Sequence, residues 1–516
     1  MLRRTARVPI YGMRALLLAL LMLAAMAPRI AHGQETRVID LTLDRLVELG
    51  LRDSYRVRQL QMDIQRTRTS LKAEQAGLRS RVDLNISTPD FQQISDYKWN
   101  STLQRNELIS SDTRRWEASL SVRQPVILFG FPTNGYLSLN NRVYRYTQLG
   151  DDDKDITYYN RYFVAYQQPF FQPNRMRNQL EGAQLDVERS ELEFQDNVVN
   201  SMNELANDYF ELFATEFERA VAAQALASME RAAAAARSLA TTTPARAIEQ
   251  DQLRVAVANA SEKLQQTASS FRLQSQSIKQ RLRLPATDSL TVDPVLDVVA
   301  VDIPVEQAIQ LATSLAPRMR RLAISRRDAE LRLDETRGRD AFRMNVSMTY
   351  GRETQDPEFE RMWTEPKNSY TVKVDGYVPL WDWGQRKYRI EAEQYSLSRN
   401  DLQAEQAHAE IDTNVRNEVR NLQEYSQRAL NMQSNLTLAR EITASTLEQY
   451  GRGEVSLVDV LQTIDRQTAT AGNALSAYLG YRRTLLRLER LTFYDFQRGA
   501  PLLERFNIGA LSNNRP

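Results

Sequence analysis

Cysteine is absent from all 516 residues. Disulfides, thiol catalysis, zinc–thiolate sites and an acylated cysteine anchor are thereby excluded. Histidine is nearly as scarce. Of the two, His32 lies in an N-terminal leader, which leaves His408 alone in the remainder. His408 sits in a polar helical run, Gln403 to Glu410, and reads as a solvated helix residue rather than the base of a Ser-His-Asp triad. One imidazole cannot make a His-rich metal site. Paired carboxylates are inevitable among 65 acids, and none clusters at a strand end as an acid–base pair for hydrolysis would. The expectation is a protein that is not an enzyme and that carries no cofactor and no metal site.

Long apolar runs are missing too. After residue 33 no stretch reaches the ~20 residues that a spanning helix needs. The remaining chain is either soluble or crosses a membrane as β-strands, the other architecture that satisfies its own backbone. A dominant charge is also lacking. The leader holds five arginines and no acid, and without it 62 cations face 65 acids, a net charge of −3. Nucleic acid, which needs a basic surface, is therefore not an expected partner.

Residues 1–33 read as a signal peptide. Arg3, Arg4, Arg7 and Arg14 make a basic start, Ala15 to Ala27 is almost wholly apolar, and Ala31-His32-Gly33 offers small residues at a cleavage site. A membrane anchor is the alternative, but the apolar run is short for it.

The rest repeats itself. Leu41-Thr-Leu-Asp-Arg-Leu-Val-Glu-Leu opens one half and Ile303-Pro-Val-Glu-Gln-Ala-Ile-Gln-Leu the other, an offset of 262 residues that also aligns Arg58 with Arg320 and Leu60 with Leu322. Pro304 suits a first helical turn. Pro285 and Pro294 interrupt helix in a linker near Leu284 to Asp302. The predicted organisation is a first repeat over residues 34–302, with strands over about 82–171 and a long helical hairpin over about 175–284. A second repeat follows over 303–495, with strands over about 342–380 and a hairpin over about 384–491. Residues 496–516 form a C-terminal tail.

Strand alternation is plain. Val82, Leu84 and Ile86 alternate with Asp83, Asn85 and Ser87; Trp116, Ala118, Leu120 and Val122 with Glu117, Ser119, Ser121 and Arg123. The second half does the same from Phe342 to Tyr350 and from Tyr370 to Val374. A soluble sandwich gives this pattern, and so does a barrel with lipid outside and water inside. The polar stretches Thr88 to Arg115 and Gly351 to Ser369 suit long external loops. In the helices, Leu461, Ile464, Thr468, Ala471, Leu475, Tyr478, Arg482 and Leu485 follow a 3-4 spacing. Ile411, Val415, Leu422, Tyr425, Ala429, Met432 and Leu436 keep the same heptad positions, which is coiled-coil patterning. Ala232 to Ala236 either lets backbones approach closely or simply reflects helix propensity.

Two places in each half say more than periodicity. Where the last strand meets the helix, the second half reads Val378-Pro-Leu-Trp-Asp-Trp-Gly-Gln-Arg-Lys and the first Gln168-Pro-Phe-Phe-Gln-Pro-Asn-Arg, with a similar Gln124-Pro-Val-Ile-Leu-Phe-Gly earlier. Between the long helices of the second half lies Tyr450-Gly-Arg-Gly-Glu-Val-Ser-Leu-Val-Asp-Val-Leu461. In this order, in a duplicated chain behind a signal peptide, the motifs resemble the TolC-like outer-membrane efflux proteins over roughly residues 40–495. The resemblance implies a mainly α fold: duplicated long coiled-coil hairpins forming an α-barrel tunnel, plus a transmembrane β-barrel shared by a homotrimer, usually with four strands per protomer. It implies an outer-membrane export channel of a Gram-negative-type bacterium, with a periplasmic helical part. Such a channel is the passive exit duct of a tripartite efflux pump or type I secretion system. Its partners would be outer-membrane lipid, a periplasmic adaptor (membrane fusion) protein and an inner-membrane pump, proton-driven or ABC type.

At the tip, Tyr450, Gly453 and Asp459 match the family pattern. The resemblance gives Tyr450 a part in holding the tip shut. Asp459, repeated around a threefold axis, would form a carboxylate ring that favours cations, can bind a blocking metal ion and repels itself toward higher pKa. The plain alternative is a helix N-terminal charge favoured by the dipole. Val455 stands where some members carry a gating arginine, with Arg452 a nearby substitute, and Gln462 where some carry a second acidic ring. The first-half tip, Leu239 to Glu249, lacks both the Gly and the Asp. The first strand region is long: Tyr136 to Gln148 and Thr157 to Gln167 could be an extra hairpin that enlarges the barrel, lies outside it or fills its mouth. A structural coiled-coil envelope protein or adhesin without a conduit is the competing reading.

Overall fold

The computed structural model describes residues 37–102, 104–149, 154–242 and 247–509. The signal-peptide reading lies outside these residues, as do 243–246 of the first tip and 510–516.

The described chain begins with β1 (Val38–Asp40), then α1 (Leu43–Asp53) and α2 (Tyr55–Gly77). Thr42 caps α1 by accepting from the Arg45 N–H. Ser54 ends that helix and starts the next, its side chain accepting from the Val57 N–H. Four strands follow: β2 (Arg81–Asn100), β3 (Arg105–Leu128), β4 (Phe131–Leu149) and β5 (Lys154–Phe170). The first hairpin is α3 (Arg175–Thr242) with α4 (Ala247–Leu282). A short strand, β6 (Ser289–Thr291), lies inside the linker and pairs in parallel with β1. The second half contains α5 (Val305–Ser314), α6 (Pro317–Arg339), β7 (Arg343–Asp356), β8 (Lys367–Tyr377), α7 (Gln385–Gly451) and α8 (Leu457–Thr492).

Six of the strands make one antiparallel sheet in the order β2-β3-β4-β5-β7-β8. The stretches expected as long loops are mostly strand. β2 and β3 remain paired out to Asn100 and Arg105, with one register irregularity between Ser87 and Asp90. Polar residues do not end a strand whose partner keeps supplying backbone hydrogen bonds, and composition alone cannot show that pairing. Between β7 and β8 the irregular part shrinks to residues 357–366, with a 3-10 turn at Arg361–Trp363. The extra hairpin is an integral part of the sheet.

The long helices, α3 and α7, have 68 and 67 residues, roughly 100 Å each at 1.5 Å per residue. Neither holds a proline, and Gly182 is the only interior glycine in the two. Near the sheet α2 packs on α3 and α6 on α7; farther away α4 packs on α3 and α8 on α7, with α3 also touching α8. The seam of α8 keeps the expected 3-4 spacing but is rotated. Val460, Ile464, Gln467, Ala471, Ala474, Leu475, Tyr478, Tyr481, Leu485 and Leu488 are buried, whereas Leu461 and Arg482 are half-exposed and Thr468 is exposed. Small and polar residues line part of that seam, so hydrophobicity counting misplaces it by one residue at 461, 468 and 482, while Leu475 is buried as expected. Across it the Tyr425 ring occupies the room left by Gly480, where a Cβ would come within 2.6 Å of it.

The tail folds back. β9 (Tyr494–Asp495) pairs with β10 (Ala500–Pro501), and a short α9 (Leu502–Arg505) follows. Leu502 and Ile508 are buried with Val47, Phe194 and Phe493.

Candidate functional site

The sheet is the first functional surface. Its register aligns Val82, Val122, Leu139, Val164, Tyr350 and Tyr370 in one row across all six strands. Every member of that row is exposed or half-exposed. The next row on the opposite face reads Arg81, Arg123, Ser138, Ala165, Thr349 and Thr371. The polar face carries its own charge pairs: Arg115 lies 2.6 Å from Glu117, which also accepts from Arg142, and the Tyr159 hydroxyl donates to Glu353 at 2.8 Å. A soluble sandwich would cover the apolar face with a second layer. Among the described residues only the β7–β8 turn at Arg361–Trp363 reaches it, packing near its far end on Asn160 and Tyr162; the rest is uncovered, and leaving such side chains in water costs about 1.5–3 kcal/mol each. No described helix is long and apolar enough to cross a membrane.

Aromatic side chains border the apolar face. Toward the helices Phe129, Phe131, Phe171, Trp381 and Trp383 are exposed, Trp383 to 86%. At the far end Phe359 and Trp363 meet edge to face, and Phe359 also meets Tyr158. Two girdles about an apolar band are what a lipid-facing sheet requires. The passage from strand to helix is fixed by Asp382, whose carboxylate accepts from the Gly384 and Arg386 N–H groups at 2.9 and 3.0 Å. Those donors hold its pKa below the usual range. Gly384 has φ +81°, a conformation open to glycine at little cost.

The far end of the helices is the second surface. Tyr450 is fully buried with Ala232, Ala236, Leu253, Leu457, Val460 and Ile464. Its hydroxyl donates to Glu249 at 2.8 Å, joining the second hairpin to the first. The small Ala232 and Ala236 face that junction, which is the close-approach reading of the alanine run. Gly453 has φ +78°, and its N–H donates to the Tyr450 carbonyl at 2.9 Å, closing α7. Val455 packs half-buried against the same cluster. Arg452 is occupied within its own turn, 2.7 Å from Glu448 and 2.8 Å from Glu454, and makes no ion pair with the described residues of the first hairpin. Gln462 is exposed.

Asp459 is exposed and sits at the third position of α8 in a capping box with Ser456. The Ser456 hydroxyl donates to it at 2.7 Å, and the Ser456 N–H at 3.1 Å. These bonds push its pKa down within the chain, the opposite of the rise expected from self-repulsion in a ring. The helix-charge reading therefore describes what Asp459 does inside one protomer.

Two features escaped the sequence. Glu249 carries a one-residue signal, an acid in the first turn of α4. The other is a cavity of about 300 Å³ between α1, α3, α8 and the tail. There Asp44 bonds Arg498 and Arg505, and Arg505 also bonds the buried Asp495. Glu489 lines the same cavity, and burial beside Asp495 pushes its carboxyl up to about 8.

Long paired helices in a duplicated chain, carrying an antiparallel sheet with an apolar, aromatic-bordered face, give this chain the fold of the TolC-like outer-membrane channels, with two strands more than the four expected. Among solved structures the chain is similar to the Campylobacter jejuni CmeC outer membrane channel, at TM-score 0.64 and 13% identity over 94% of each chain. It is also similar to the Neisseria gonorrhoeae MtrE outer membrane channel in its open state, at 0.60 and 13%, over 89% of this chain and 90% of that one. The Vibrio cholerae outer membrane protein VceC matches at 0.61 and 12%, over 89% and 96%. No protein-family model matches the chain, and no curated protein sequence matches it.

Proposed function

We propose that this protein is an outer-membrane export channel: the passive exit duct of a tripartite efflux pump or type I secretion system, gated at its periplasmic tip. The uncovered apolar sheet face, bordered by aromatics, is the observation that carries the reading. Such a face is stable only in lipid, and a sheet with two open edges is tolerated in lipid only once those edges are paired. A homotrimer closing one barrel supplies that pairing. An adaptor protein and an inner-membrane pump, proton-driven or ABC type, would engage the tip and supply the energy. Tyr450 with Glu249 would hold the two hairpins together at rest. Asp459, exposed at the end of α8, would add a negative ring around the axis that favours cations.

Planar-bilayer conductance of the purified protein tests this, with Asp459→Ala alongside. Wild type should show small, mostly closed currents from a trimer, and the variant should lose cation preference or divalent block. Current unaffected by the substitution would retain the channel and discard Asp459 as its filter. A correctly folded trimer that never conducts, even with Tyr450→Ala loosening the tip, would instead fit a structural envelope protein.

A further inference from the structure

Four chain crossings join the helices to the sheet: α2 into β2, β5 into α3, α6 into β7 and β8 into α7. The sheet nevertheless has six strands. The two additional strands arise because β3 does not enter a helix. It turns at Phe129 and Gly130, both with positive φ (51° and 84°), straight into β4. Two positive-φ residues make the tight turn whose twist suits a hairpin. The sequence marks the same event. Gln124-Pro, Gln168-Pro and Val378-Pro each stand at the helix-side end of a returning strand and are followed by apolar or aromatic residues. The sheet is thus three hairpins of one kind, β2–β3, β4–β5 and β7–β8, and the middle hairpin adds strands without adding helices.

We propose that three protomers close an eighteen-strand barrel by pairing β8 of one with β2 of the next, a barrel about half again as wide as a twelve-strand one at the same tilt. This rests on the trimeric-channel reading above. Three observations support it. Six is an even number, and the sheet is antiparallel throughout, so β8 and a neighbour's β2 run in opposite directions and close the ring in the same pattern. Both edges carry matching apolar rows on the lipid side: Val82, Leu84 and Ile86 on β2, Tyr370, Val372 and Val374 on β8, all exposed. The circumferences also agree. Eighteen strands spaced ~4.8 Å apart and tilted ~40° give a barrel about 36 Å across between backbones. Four helices abreast per protomer, twelve in the ring at about 9–10 Å, give about 36 Å as well. Twelve strands at the same tilt would give about 24 Å.

The chain's lack of cysteine makes the edge pairing directly testable by oxidation. Cysteine pairs combining positions 82, 84 or 86 with 370, 372 or 374 should link protomers into covalent dimers and trimers in at least one register. Leu139→Cys on β4, combined with the same β8 positions, should not. Links from β8 to β4 and none to β2 would overturn the proposal, because β2–β3 would then lie outside the barrel. A second experiment measures function. Deleting residues 126–169 joins Pro125 to Phe170, restoring a Gln-Pro-Phe-Phe passage into α3 and leaving four strands per protomer. The largest polymer that enters the external mouth and blocks current should be about 1.5 times wider for wild type than for the deletion trimer. Equal cut-offs would overturn the proposal. A chain that neither trimerises nor conducts defeats the channel reading itself, a separate outcome from a conducting trimer with the wrong edge links.

Discussion

The two helical hairpins end side by side, and their described residues contribute to that end in different ways. Hairpin α7–α8 carries its own turn chemistry: Gly453 in the left-handed region, Arg452 clasped by Glu448 and Glu454, and the Ser456–Asp459 capping box. In hairpin α3–α4 the described residues contribute small alanines, Leu253 and Glu249, all directed at Tyr450 and its neighbours. The second tip shows local devices; the described residues of the first meet Tyr450 and its neighbours. The lesson is that the two copies of a duplicated chain can stabilise each other by packing, through a buried tyrosine of one and an acid of the other.

The difference can be broken most severely at Tyr450. Tyr450→Ala empties the shared cluster and should destabilise the tip by roughly 3 kcal/mol. Hydrogen exchange should rise in α4 as well as in α7; protection lost from α7 alone would mean that the first hairpin does not lean on the second. Next in size is a contrast far from both tips. Glu489 has a carboxyl pKa raised to about 8, so the folded state favours the protonated form. Its contribution is full below the ordinary glutamate range and is lost as pH rises through 8. Glu489→Gln should therefore stabilise the protein at pH 8.5 by on the order of 2 kcal/mol and do little at pH 4, as read from thermal midpoints. Unequal tips are sharpened by Gly453→Ala, which places a side chain at positive φ and should cost about 1 kcal/mol, with faster exchange confined to the α7–α8 turn. Ser456→Ala should cost about 1 kcal/mol through the lost cap, again without effect on α3–α4. Asp459 shares that cap with a lowered pKa, so its contribution persists above the ordinary aspartate range and fades as pH falls below it. In Ser456→Ala that acid-side fading should be weaker.

Much of the architecture was legible because two periods, 2 and 3.5, are written in side chains that pack in helix seams or form the apolar face of the sheet. The alternation from Trp116 to Arg123 and from Phe342 to Tyr350 placed strands, and the Ile411 to Leu436 stripe placed a buried helix face. Pairing was less visible. Residues 90–100 and 105–115 look like loop by composition but are tied strand to strand. The α8 seam was rotated because Gln467, Ala474 and Tyr481 are buried for fit and hydrogen bonding, Tyr481 donating to the Val299 carbonyl at 2.5 Å. At the tip, Tyr450 and Gly453 stood out by type and spacing, whereas Glu249 is 201 residues from its partner and no local pattern announces it. The tail was opaque for the same reason: Arg498 and Arg505 have meaning only beside Asp44.

The parallel pairing of β1 with β6 sets an order of assembly. Val38 meets Ser289 and Asp40 meets Thr291, so the described start of the chain is fastened to the linker that follows the entire first repeat. Closing so long a loop is slow, and the ladder cannot form until residue 291 is present. While the chain is being delivered, the first repeat thus stays an open ring with one end loose. The fastening falls just before the second repeat begins at Val305, so it must wait for the whole first repeat but for none of the second.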